Sequence, residues 1–320
     1  MIKKSLSGIL SGLIVFSALV FVGAQFWENR SAVLEWHPAS GEYVLLALGM
    51  IVYAANNVLL ALAWFLLLRT YRQDNISLFE CISLYARTQI AKYIPGNVFQ
   101  FAGRHISARQ LGVEHGAIAG ATLYEVIGLL LTSSLLALSG LLVWGMTIER
   151  ISATIIATAV VLMISFLILF NKCVSRIRVL RQVKLPAEKA IDVIKCLLPV
   201  YLLLFLFMII AGGIFWSVVT TLSPTTELYH AGPIVTLFAL SYIAGFITPG
   251  APGGLGVREA VIVGSLSNYV PEAQCLLIAV FFRAVTTVGD FLFFLSSFLQ
   301  MDRDKRSLFR RLGHPPENRV

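Results

Sequence analysis

Two stretches decide how this chain folds: Tyr93-Ile94-Pro95-Gly96-Asn97-Val98-Phe99-Gln100-Phe101-Ala102-Gly103-Arg104 and Thr248-Pro249-Gly250-Ala251-Pro252-Gly253-Gly254-Leu255-Gly256-Val257-Arg258-Glu259. In both, a Pro-Gly pair is followed by arginine at the same distance, Arg104 after the first and Arg258 after the second. Proline ends a helix, and glycine lets the chain turn without a side-chain clash. The surrounding sequence is membrane-like, and lipid cannot satisfy the backbone groups that such a break frees, so these segments are expected to line a cavity. A third pair, Pro252-Gly253, has Val261 at the matching distance and does not extend the pattern.

Outward from these stretches the chain is strongly apolar. Of 320 residues, 58% are hydrophobic and 13% charged, and the mean hydropathy is +0.82. That is too little polar surface to coat a soluble globule of this size, and it predicts an all-α polytopic membrane protein. Apolar runs of roughly 20 residues, enough to cross a bilayer, occur at 6–26, 44–68, 117–144, 151–170, 197–222 and 276–299. They predict six full spans in one integral membrane domain over 1–320. Lys3 and Lys4 resemble a signal-peptide start, but the run after them is long and no Ala-x-Ala site follows, so it reads as a retained span.

The net charge of +8 reports orientation before nucleic-acid binding, because the basic residues sit in loops beside spans. Lys172, Arg176, Arg178, Arg181, Lys184, Lys189 and Lys195 crowd one loop, and Arg303, Lys305, Arg306, Arg310 and Arg311 crowd a basic tail at 301–320. By the positive-inside rule both are cytoplasmic, as are both termini, which predicts a multi-pass protein of the inner (cytoplasmic) membrane. The loops holding Glu28, Glu35 and Glu42, then Glu149, then Glu227, face outward. Cys81, Cys173, Cys196 and Cys275 lack CxxC spacing, and the five histidines are scattered, so neither a disulfide framework nor a metal site is expected.

Two semi-apolar segments remain, 78–113 and 233–270. The first starts and returns on the cytoplasmic side, the second on the outer side, so each reads as a re-entrant helical hairpin. Halves of about 1–146 and 151–300 then run in opposite directions, each with two spans, a hairpin and a span. Such an inverted repeat brings broken helices together near the bilayer midplane.

The candidate binding residues follow from this arrangement. In the first hairpin they are Lys92, Asn97, Gln100 and Arg104. In the second they are Gly250, Gly253, Gly254, Gly256, Arg258 and Glu259, where glycine leaves backbone N–H groups open and a helix starting near Val257 points its positive end into the turn. Two readings of Arg258 stay open: it binds a phosphate or carboxylate, or it pairs with Glu259 and staples the bend. Glu125, Arg283 and Asp290 lie inside spans, where a charge facing lipid is costly. Arg283 and Asp290 are two turns apart on one helix face, expected to meet Glu125 either as a structural bridge or as part of a site. A Walker lysine, a Ser-His-Asp set and paired catalytic carboxylates are all missing, so no enzyme activity, nucleotide or other cofactor is expected.

The string from Ala91 to Val98 with Gly103-Arg104, and that from Pro249 through Arg258-Glu259, resemble the lysylphosphatidylglycerol synthetase transmembrane-region family. Glu125 and the span holding Arg283 and Asp290 look like family positions too. The resemblance implies a flippase-like region that moves a lipid between leaflets. In bifunctional members a separate soluble C-terminal domain performs aminoacyl transfer; here about 20 residues follow the last span, so synthetase activity is not expected. Stand-alone relatives are linked with glycolipid or polyprenyl-linked envelope pathways. The expected cargo is thus an anionic (glyco)lipid, phospholipid or polyprenyl-phosphate-linked lipid. Alternatives are a small-molecule secondary transporter and a non-transporting membrane partner of an envelope glycosyltransferase; an envelope-biosynthesis enzyme and a second copy of the chain are the candidate protein partners.

Overall fold

The computed structural model describes residues 27, 40–94, 98–145, 183–187, 189–223, 231–248, 251–267 and 270–311. The spans expected at 6–26 and 151–170, and the turn residues Pro95, Gly96, Asn97, Pro249 and Gly250, lie outside them. The described residues form α1 (Ser40–Thr70), α2 (Leu78–Gln89), α3 (Phe99–Gln110), α4 (His115–Gly145), α5 (Ala190–Leu222), α6 (Ala231–Ile247), α7 (Val257–Leu266) and α8 (Glu272–Arg311), with no strand among them.

Four of these helices contain segments long and apolar enough to cross a membrane: Gly41–Thr70, His115–Gly140, Ala190–Leu222 and Glu272–Phe298. They coincide with four of the six expected spans. Their outward faces are apolar, with Val44, Leu48 and Ile51 on α1, Leu198, Leu202 and Leu206 on α5, and Phe291, Leu295 and Phe298 on α8 all exposed. A helix apolar on its exposed side as well as its buried one is suited to lipid and not to water. The protein is a helical, multi-pass membrane protein.

The remaining helices form two helix–break–helix segments. Ser77 caps α2 in a reciprocal box, its hydroxyl accepting from the Glu80 amide while the Ser77 amide donates to Glu80 Oε2 at 2.8 Å. This satisfies two orphan donors at the helix start, as the Ser-x-x-Glu spacing foretells. After α2 the chain tightens into a 3-10 turn, Ile90–Tyr93, before α3. In the second segment α6 is followed by a 3-10 turn, Pro252–Gly254, and then by α7. Both breaks fall where the Pro-Gly motifs stand.

The packing is reciprocal. The long helices α1 and α5 pack against one another, and Asn56 on α1 donates to the Phe207 carbonyl on α5 at 3.0 Å. The long helix that follows each broken segment packs on the first helix of the other broken segment, α4 on α6 and α8 on α2. Small residues allow close crossings at two further contacts, α4 with α5 and α8 with α1. A Cβ on Gly128 of α4 would lie 2.5 Å from the Tyr201 ring of α5, and one on Gly289 of α8 would lie 2.9 Å from the Met50 carbonyl of α1. The two 3-10 turns touch at the centre, where the Tyr93 ring packs against Gly253.

Candidate binding cavity

A cavity of about 70 Å³ opens between the two breaks. Its polar lining comes from Gln89, Lys92, Gln100 and Arg104 of the first broken segment, Glu125 of α4, Arg258 of α7, and Arg283 and Asp290 of α8. Gly253 and Gly254 complete it from the second turn.

Three cations of the cavity are matched by carboxylates. Arg104 Nη1 donates to Glu125 Oε2 at 2.6 Å, and both side chains are 1% exposed. Tyr85 donates its hydroxyl to the other Glu125 oxygen, and the Arg104 guanidinium lies 3.7 Å from the Tyr85 ring centroid. Lys92 Nζ is 2.7 Å from Asp290 Oδ2. Arg283 reaches Glu259 at 3.5 Å and also donates to the carbonyls of Gly253 and Pro252 at 2.9 and 3.3 Å. Closely matched pairs are what a water-poor interior demands, since an unpaired buried charge is expensive.

Arg258 is different. Among the described residues its guanidinium has no carboxylate or hydrogen-bond partner; its neighbours are the rings of Tyr242 and Phe238, at 5.1 and 6.0 Å. Its stem crosses two glycines: a Cβ on Gly245 would sit 2.3 Å from Arg258 Cγ, and one on Gly254 would sit 2.7 Å from Cδ. The absence of those side chains is what lets the guanidinium reach the cavity. Glu259, the alternative partner that adjacency in sequence suggests, is engaged by Arg283 and by the Gly256 amide at 2.7 Å.

Two expectations need correction. The glycine string does not present a row of open amides: Gly254 and Leu255 donate to Ala251 and Pro252 at 3.0 Å each, and Gly256 donates to Glu259. The cause is the 3-10 turn and the cap of α7, which use those donors internally. Nor does Glu125 meet Arg283 and Asp290 as a partner. All three line the cavity, but Arg104 occupies Glu125, because α3 and α4 are chain neighbours that bring the two groups together first.

Gln100 is buried at the cavity wall, whereas Gly250 and Asn97 are outside the described residues. Sequence reasoning missed Tyr53, Tyr85, Tyr93 and Tyr242. An aromatic in an apolar run gives no sign of which face it takes, although Tyr93 and Tyr85 flank the first motif. It also missed the contact of His105 Nε2 with His115 Nδ1 at 2.8 Å, on α3 and α4. Among the described residues no three His, Cys, Asp or Glu side chains gather as a metal site.

The family model of the lysylphosphatidylglycerol synthase TM region matches residues 7–293. The chain belongs to this family. A comparison with curated proteins found no match.

Proposed function

We propose that this membrane protein moves an anionic lipid between leaflets, holding its headgroup in the cavity between the two broken segments. The observation that carries the reading is Arg258: in a cavity where every other cation has a carboxylate, its guanidinium faces the space without one among the described residues. An unpaired cation in a part-buried site is costly unless something negative comes to it. A phosphate would take both arms of the planar fork. Arg104, Lys92 and Arg283 set the field around it while their own partners hold them in place.

The reciprocal packing of α4 on α6 and α8 on α2 supports reading the halves as an inverted repeat, with the broken segments as re-entrant hairpins entering from opposite faces. In that arrangement the cavity is the shared site that the two halves expose in turn to each leaflet. The inner membrane, with both termini cytoplasmic, is the location that the charge distribution favours.

The test is leaflet-to-leaflet movement of labelled phosphatidylglycerol and of a polyprenyl phosphate in proteoliposomes, for wild type, Arg258→Lys and Arg258→Ala. A charge-assisted contact is worth roughly 1.5–3 kcal/mol, so Arg258→Ala should lower headgroup affinity at least about tenfold. Arg258→Lys, which keeps the charge and loses the fork, should fall between. A stable Arg258→Ala protein that moves at the unaltered rate whichever of the two lipids wild type moves would overturn the reading.

A further inference from the structure

Among the described residues the charged groups of the cavity do not cancel. Lys92, Arg104, Arg258 and Arg283 supply four positive charges, and Glu125, Asp290 and the Glu259 that pairs with Arg283 supply three negative ones, leaving an excess of one. Each carboxylate is bound to a named cation or donor. The excess is therefore localised on Arg258 and not spread over the wall.

Two further polar atoms are unsatisfied in the same wall. Asp290, 1% exposed, has Oδ1 without a hydrogen-bond partner while its Oδ2 takes both Lys92 and the Tyr93 hydroxyl. Arg104, equally buried, has Nε without one. Buried polar atoms are ordinarily satisfied, so these two mark places for ligand or water. Oδ1 accepts only, which suits a hydroxyl on the group carried beside the phosphate.

Resting on the lipid-headgroup reading, we propose that the cavity selects headgroups with one negative charge, that is phosphodiesters, and discriminates against phosphomonoesters and diphosphates. A monoanion brings the site to neutrality. A dianion leaves one negative charge uncompensated in a water-poor space lined by Tyr53, Tyr242, Phe101 and Phe207. A neutral headgroup leaves Arg258 unpaired. Specificity then comes from charge balance as much as from contact, because the mismatched ligand is rejected by its own excess.

The experiment uses the full chain in membrane discs with three lipids of identical acyl chains: phosphatidylglycerol, phosphatidic acid and diacylglycerol. At about pH 8 the phosphomonoester is doubly charged. Wild type should prefer phosphatidylglycerol over phosphatidic acid by about tenfold or more and should ignore diacylglycerol. Glu259→Gln raises the excess to two while keeping an oxygen for the Gly256 amide, and Asp290→Asn does the same on α8. Either variant should shift the preference toward phosphatidic acid. Wild-type preference for phosphatidic acid, or equal binding of the two, would overturn the charge selection and leave the lipid-headgroup reading standing. Unchanged preference in folded Glu259→Gln protein would do so as well. Binding of neither anionic lipid would overturn the lipid-headgroup reading and this inference with it.

Discussion

Lys92 and Asp290 are nearly two hundred positions apart in the chain, yet the ammonium and the carboxylate stand 2.7 Å from one another, with side chains 16% and 1% exposed. The Tyr93 hydroxyl donates to the same Asp290 oxygen at 2.6 Å. The break of the first segment is thereby fastened to α8, beside the contact between the two 3-10 turns. A pair in this position ties the first broken segment to α8 and also contributes to the charge of the cavity.

Breaking the pair from one side should be costly. Lys92→Met leaves Asp290 buried and uncompensated, with an expected loss of about 3–5 kcal/mol in stability. The double variant Lys92→Met/Asp290→Leu should recover most of that loss, since two apolar groups leave no buried charge. Unfolding followed in detergent measures both; a double variant no more stable than the single one would show that the pair is not what sets the cost.

Arg104 and Arg258 occupy matching places in the two motifs but should respond in opposite ways. Arg104→Ala strands Glu125 in the interior and should destabilise by about 3–5 kcal/mol. Arg258→Ala removes ring and stem contacts but strands no carboxylate and relieves an unpaired charge, so its cost should be at most about 1 kcal/mol. Headgroup binding should show the reverse order among folded variants. Thermal unfolding read beside lipid affinity separates the two roles, and a large stability loss in Arg258→Ala would return that residue to a purely structural role.

Gly245 makes room for Arg258, so Gly245→Ala should displace the guanidinium and reduce transport without any change of charge. Gly264 on α7, where an added Cβ meets open space, is the control: Gly264→Ala should be neutral or should stabilise by up to about 1 kcal/mol. Equal transport by the two variants would mean that the stem of Arg258 does not depend on the slot.

Orientation is tested by labelling in sealed cells. By the positive-inside bias, single cysteines at Glu35 and Glu227 should react with an impermeant thiol reagent added outside, and one at Lys184 should be protected. Reaction at 184 would overturn the arrangement of hairpins entering from opposite faces.

Much of this was legible before folding. The apolar runs marked α1, α4, α5 and α8 because a spanning helix must be apolar over its whole length, a property that composition alone reports. The two helix breaks were legible because proline and glycine act on the local backbone. Even the cavity's charged members were identifiable, since a charge in an apolar run stands out. Their partners were not: Arg258-Glu259 and Arg283 with Glu125 are reasonable pairs on paper, and neither forms.

The sequence by itself determined the helical, membrane-embedded class, the places where helices break and which residues carry charge into the apolar interior. These follow from local backbone chemistry and from the cost of polar groups in lipid. Only the tertiary structure decided that Arg104 meets Glu125, Lys92 meets Asp290 and Arg283 meets Glu259, leaving Arg258 unmatched among the described residues. The physical reason is distance: attraction between charges decides pairing only after helix packing has set which groups come within a few ångströms, and that packing rests on crossings such as Gly128 on Tyr201 and Gly289 on Met50.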